Sequence, residues 1–211
     1  MSLDLGLDIG IAATAFVPLL LLELPDKTFI ATLVLSTRYK PLTAWLGVGL
    51  AFGVQCVVAV TAGGVLSRLP TTPVAIAAAL LFAAGAVLLW RGAAGADAEE
   101  AETEEEFSAR ITGGGSGLRA VGACFLVIFI AEWGDLSQLF TAGLAAHYAD
   151  PVSVFVGSWL ALLAVSGLAA LLGKALLLKV RLSTIRRVGA VVCLVLAGLT
   201  AAQAAGVELP V

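Results

Sequence analysis

Residues 42–67 read LTAWLGVGLAFGVQCVVAVTAGGVLS, 26 positions without a charge. A bilayer-spanning helix needs about 20 mostly apolar residues. This run is apolar on every face and does not alternate, which excludes a transmembrane barrel strand. Further uncharged runs accompany it: Leu69–Trp90 (22 residues), Ala120–Ala131 (12), Val152–Gly173 (22) and Val188–Val207 (20). Across the 211 residues, 60% are apolar, 13% are charged, and the mean hydropathy is +1.04. A soluble domain carries about 25% charged residues, so a water-soluble globule is excluded. The sequence predicts an all-α polytopic membrane protein.

Six spans are expected, over roughly Ile9–Thr37, Leu42–Ser67, Pro73–Trp90, Ala120–Ala146, Val152–Leu178 and Thr184–Val207. Pro41, Pro70, Pro73 and Pro151 punctuate their boundaries, as expected where helices start or stop. Met1–Gly10 carries Asp4 and Asp8 and no basic residue, the wrong sign for a leader peptide. The first apolar stretch is therefore expected to stay in the protein. The net charge of −3 matters less than its placement. Arg38, Lys40, Arg91, Arg110, Arg119, Lys174, Lys179, Arg181, Arg186 and Arg187 fall on one side of the six spans, and only Arg68 on the other. By the positive-inside rule, this predicts a cytoplasmic-membrane protein with both termini on the non-cytoplasmic side.

Composition divides the chain into residues 1–91, a linker over 92–118, and residues 119–211. Seven of the ten residues from Asp97 to Glu106 are acidic, and Gly113, Gly114, Gly115 and Gly117 follow. Such a segment cannot bury enough apolar surface to fold alone, which predicts a disordered cytoplasmic tether. Its other reading is an acidic antenna that gathers cations.

The outer segments repeat one another. An offset of 109 residues places Phe16 on Phe125, Glu23 on Glu132, Asp26 on Asp135, Thr28 on Ser137, Thr32 on Thr141, Leu35 on Leu144 and Tyr39 on Tyr148. One inserted residue then brings Pro41 onto Pro151 and Gly47 onto Gly157. Apolar matches between membrane helices carry little weight, but acids inside spans are rare. Each repeat would hold three spans, an odd number, so the second half would enter the membrane inverted. That architecture is common in secondary transporters, whose sites lie near the midplane. Gly47/Ala51, Gly49/Gly53 and Gly157/Ala161 would allow close helix contacts.

The chemistry concentrates in Glu23-Leu24-Pro25-Asp26-Lys27-Thr28 and Glu132-Trp133-Gly134-Asp135-Leu136-Ser137-Gln138. On a continuous helix, acids at i and i+3 share a face, so four carboxylates and the hydroxyls of Thr28 and Ser137 could converge. An ionised carboxylate at mid-bilayer costs at least about 2.5–3.5 kcal/mol. Four would cost on the order of 10 kcal/mol, comparable to the stability of a whole domain. Lys27 offsets one at most. A bound cation or protons would supply the missing charge, and a structural ion-pair cluster is the competing reading. The donors are all oxygen, which suits Ca²⁺, Mn²⁺ and Mg²⁺ over copper or zinc. Pro25 would free the carbonyl of Leu21.

Burial disfavours an ionised carboxylate and a nearby cation favours it. Metal and protons would therefore compete for the same acids, and alternating exposure would exchange one for the other. An alternative is a small-solute exporter of the amino-acid type, whose substrate ammonium would bind the acids. A non-transporting scaffold is a third, for which the embedded acids have no evident use.

The two E-x-(G/P)-D motifs, one in each half, resemble the Gdt-type cation/calcium exchangers, whose pattern is E-x-G-D-(K/R)-(S/T). The resemblance covers nearly the whole chain outside the linker. It implies Mn²⁺ and/or Ca²⁺ transport in exchange for protons, with manganese export the role usual for bacterial members. It implies Glu23, Asp26, Glu132 and Asp135 as metal and proton ligands. Thr28 and Ser137 would be auxiliary oxygens, Gln138 a matching neighbour, and Lys27 the charge partner. Pro25 stands where the first motif has glycine, and Leu136 where the second has a basic residue.

No enzyme is expected. The sequence has no nucleophile triad, phosphate-binding loop or nucleic-acid patch, and implies no cofactor beyond the transported ion. The lipid bilayer is the expected surrounding, and a homodimer is allowed. Cys56, Cys124 and Cys193 read as small buried residues, His147 as an outer loop residue, and Gln55 and Gln203 as helix–helix hydrogen bonders. Trp45, Trp90 and Trp159 read as interfacial, and Trp133 as packing beside the site.

Overall fold

A computed structural model describes residues 6–24, 27–66, 68, 71–95, 102, 105, 109, 116–177 and 182–205. Among them are eight helices and no strand: α1 (Ile9–Glu23), α2 (Lys27–Arg38), α3 (Pro41–Leu66), α4 (Thr71–Gly92), α5 (Leu118–Ala131), α6 (Leu136–Tyr148), α7 (Pro151–Leu177) and α8 (Leu182–Ala204). The all-α membrane class stands. Helices are the open-ended way to satisfy every backbone group inside hydrocarbon. Pro41 and Pro151 occupy first helical positions, where a missing N–H costs nothing. Asp8 caps α1, its carboxylate accepting from Gly10 N at 2.8 Å and Ile11 N at 3.1 Å.

Two expected spans are broken. The first bends by 71° between Ile9–Glu23 and Thr28–Arg38, and the fourth by 77° between Leu118–Ala131 and Leu136–Tyr148. Helices α3 and α7 are each long and apolar enough to cross a membrane, and the bent pairs raise the candidate spans to four. The described apolar stretches of α4 and α8, Ala79–Gly92 and Ala190–Ala202, are shorter. Residues 96–101, 103–104, 106–108 and 110–115 of the linker lie outside the described residues, as do Lys179 and Arg181. His147 sits inside the last turn of α6, not in a loop, its ring 4.8 Å from that of Tyr148. A basic group there suits the negative end of the helix dipole.

The packing crosses between halves. Helix α1 lies on α7, α5 on α3, and α4 pairs with α8. Helices α3 and α7 run antiparallel through the centre. Trp45 Nε1 donates to Leu163 O at 2.9 Å, and Trp159 Nε1 to Gly49 O at 2.9 Å, so both indoles tie the helices together. Gly157 rests directly on the carbonyl of Ala12, and a Cβ at Gly47 would stand 2.5 Å from that of Val121. Ala12 and Val121 are 109 residues apart, so the repeat offset relates these two backbone contacts. Phe82 of α4 meets Phe140 of α6 edge-on at 4.3 Å. Leu46, Leu50, Val54, Val57 and Val58 form an exposed apolar stripe on α3, as a lipid-facing surface requires.

Candidate functional site

Both acidic motifs fall at the helix breaks. In the second, α5 ends at Ala131 and Glu132 leaves helical geometry with φ −104° and ψ 15°. Gly134 follows at φ +76°, a left-handed conformation that glycine adopts without steric cost. Asp135 then starts α6 from an extended backbone. Its Oδ1 accepts from Gln138 N at 3.0 Å and its Oδ2 from Ser137 Oγ at 2.8 Å. This N-cap fixes the carboxylate at the end of the helix that favours negative charge. Gln138 spans the turn: its Nε2 donates to Glu132 O at 2.7 Å and its Oε1 accepts from Gly134 N at 3.3 Å.

Glu132 and Asp135 therefore do not share a face of one continuous helix. One carboxylate leaves the C-terminal end of α5 and the other caps the N-terminal end of α6. The Glu132 side chain is 0% exposed, whereas Trp133 between the acids is 56% exposed, its ring 4.8 Å from Phe129. Trp133 thus packs along α5 and not into the protein interior.

In the first motif, α1 ends at Glu23, itself 1% exposed, and Leu24 N closes the last turn on Leu20 O at 3.1 Å. Pro25, Asp26 and the Lys27 side chain lie outside the described residues, and with them the expected role of Pro25. Thr28 is the second residue of α2, 1% exposed, its Oγ1 without a hydrogen-bond partner among the described residues. Its carbonyl accepts from Thr32 Oγ1 at 2.8 Å.

Helices that flank both breaks pack on α3. Helix α3 packs on α2, α5 and α6, and α1 also touches α6. Cys56, midway along α3 and 2% exposed, lies within electrostatic reach of both Glu23 and Asp135. Sequence reasoning took Cys56 for a plain buried residue; no local signal marks it, because its position depends on how α3 crosses the breaks. The neighbouring Gln55 does bridge helices, donating from Nε2 to Phe129 O of α5 at 3.3 Å. The Gln203 side chain lies outside the described residues. A hydroxyl pair, Thr141 Oγ1 and Ser158 Oγ at 3.3 Å, joins α6 to α7 nearby. Among the described residues no three His, Cys, Asp or Glu side chains form a metal-holding group.

Comparison with known proteins bears on the chemistry. The family profile described as "Divalent cation/proton antiporter GDT1" matches residues 11–97 and 120–208. The chain is 29% identical over 209 residues to the chloroplastic protein PAM71 of Arabidopsis thaliana, covering 90% of this chain and 56% of that protein. It is 37% identical over 149 residues to a GDT1-like protein of Synechocystis, covering 63% and 70%. It is 29% identical over 197 residues to a Vibrio cholerae protein named "Putative manganese exporter", covering 91% and 90%. The chain spans 56% of the plant relatives' length, about half. No solved structure matches the chain significantly.

Proposed function

Because this chain belongs to the GDT1 family of divalent cation/proton antiporters, we propose that it exports Mn²⁺, or Ca²⁺, from the cytoplasm in exchange for protons. The observation that carries this reading is a pair of buried glutamates, Glu23 and Glu132, at repeat-related helix ends in an apolar protein. Broken helices whose ends line a polar site fit the transporter pattern. The proposal includes six spans as two inverted three-helix repeats, residues 1–91 and 119–211, joined by the 92–118 cytoplasmic linker. The crossed contacts Gly47–Val121 and Gly157–Ala12 support that symmetry.

In this reading Glu23, Asp26, Glu132 and Asp135 take either the cation or protons. The Thr28 hydroxyl adds an oxygen donor. Ser137 and Gln138 hold Asp135 and the turn around it, and Lys27 offsets part of the charge of the empty site. An all-oxygen donor set suits Mn²⁺ and Ca²⁺, and the likeness to a protein named for manganese export favours Mn²⁺. High cytoplasmic pH strips protons from the acids and promotes cation loading there. Low external pH returns protons and expels the cation. No group in this cycle forms or breaks a covalent bond to the substrate, as befits a transporter.

Uptake by inverted vesicles tests the proposal. With the interior acidified, Mn²⁺ is expected to accumulate, and a protonophore is expected to abolish the accumulation. Ca²⁺ should compete and Mg²⁺ should compete poorly. Uptake indifferent to the pH gradient would remove the proton half of the cycle.

A further inference from the structure

The two breaks are not copies of one another. Under the 109-residue offset Leu24 corresponds to Trp133. The α1 ladder runs on to Leu24 N, bonded to Leu20 O, whereas the α5 ladder closes one position earlier, with Glu132 N on Ile128 O at 2.9 Å. Phe129 O, the counterpart of Leu20 O, instead accepts from Gln55 Nε2 at 3.3 Å. Glu132 O accepts from Gln138 Nε2 at 2.7 Å and from Asp135 N at 3.4 Å. Two glutamines thus take carbonyls released by the early end of α5, and such carbonyls are costly to leave unsatisfied inside a bilayer. Their repeat counterparts are Val165 and Phe29, which are buried together with Ala169 in one apolar cluster. A polar pair braces one break where an apolar pair packs at the other.

We infer that Gln55 is a positioning residue of the second half-site: by holding Phe129 O it sets the end of α5, and with it the place of the Glu132 carboxylate. The inference rests on the transport reading above. Glu132 is three residues past Phe129 and lies in the turn itself, so any release of that turn displaces it directly. Gln55 is 2% exposed and lies on α3, which packs on both α5 and α6. The two half-sites are therefore unequal, the Glu132/Asp135 half being braced by side-chain amides from α3 and α6. Losing a residue that orients a metal ligand in this way typically costs about 10- to 100-fold in metal affinity or activity.

Gln55→Met keeps the length of the side chain and donates nothing. With Mn²⁺ as the probe in inverted vesicles, its half-saturating concentration is expected to rise about ten-fold while the maximal rate stays within about two-fold. A merely structural role would lower folded protein and maximal rate together and leave half-saturation alone. Gln55→Asn stays polar but is one methylene too short for a contact already at 3.3 Å; it is expected to show the same rise even where the Met variant fails to insert. Val165→Leu, at the counterpart position, should leave half-saturation unchanged. Wild-type half-saturation in either Gln55 variant overturns the inference, and an inactive Glu132→Gln in the same vesicles then leaves the transport reading standing. Should Glu132→Gln transport like the wild type, the transport reading itself fails.

Discussion

Glu132→Gln is expected to reduce cation-driven proton exchange by about a thousand-fold, with the protein still inserted and folded. The substitution keeps shape and volume at a side chain that is 0% exposed, so packing changes little. What it removes is one negative charge. A unit charge pair at about 4 Å is worth about 4 kcal/mol at an effective dielectric of about 20, and every 1.4 kcal/mol or so is a factor of about ten. The amide also cannot release a proton, so the exchanged ion is lost along with the bound one. Manganese tolerance of a manganese-sensitive strain provides the first readout, and vesicle uptake the second. Glu102→Gln, at an exposed linker position, should transport normally. If Glu132→Gln rescues growth as well as the wild type, the buried acids are not the transport site.

The second large effect is on stability. Gly157→Ala drives a Cβ into the backbone carbonyl of Ala12, and Gly47→Ala places one 2.5 Å from Val121 O. Backbone cannot swing aside as a side-chain tip can. Each substitution is expected to cost about 3 kcal/mol, the upper part of the usual overpacking range, and to lower Tm in detergent by about 6–12 °C for a chain of this size. Gly122→Ala and Gly198→Ala meet nothing within 4 Å. They should be neutral or stabilising, by up to about 1 kcal/mol from helix propensity. The comparison matters because the chain holds 23 glycines, and only contact geometry separates the four cases. Equal Tm for all four would mean that α1–α7 and α3–α5 do not pack as closely as described.

Much of this was readable from residue order. Uncharged runs identify membrane helices because each has to satisfy its backbone alone, so length and polarity are local properties. The recurrence of Glu23/Asp26 at Glu132/Asp135 is equally local. The breaks were less legible. Pro25 points to irregular backbone in the first motif, yet spacing alone favours continuous helices with acids sharing a face. Gly134 at φ +76° and Asp135 as an N-cap replace that picture. The fate of Gln138 depended on the break: once α5 ends at Ala131, its amide is drawn to Glu132 O and Gly134 N. Trp45 and Trp159 have their indoles bonded across α3 and α7, which hydropathy does not encode.

From its residue order alone this protein is a helical membrane protein with duplicated acids, since hydrophobic length, charge placement and self-similarity need no knowledge of contacts. Only the tertiary structure decided that Gln55 reaches Phe129 O and that Gly157 rests on Ala12. These are meetings between residues scores of positions apart. Their geometry follows from which helix lies on which, a choice made by packing of whole surfaces and not by any short stretch of chain.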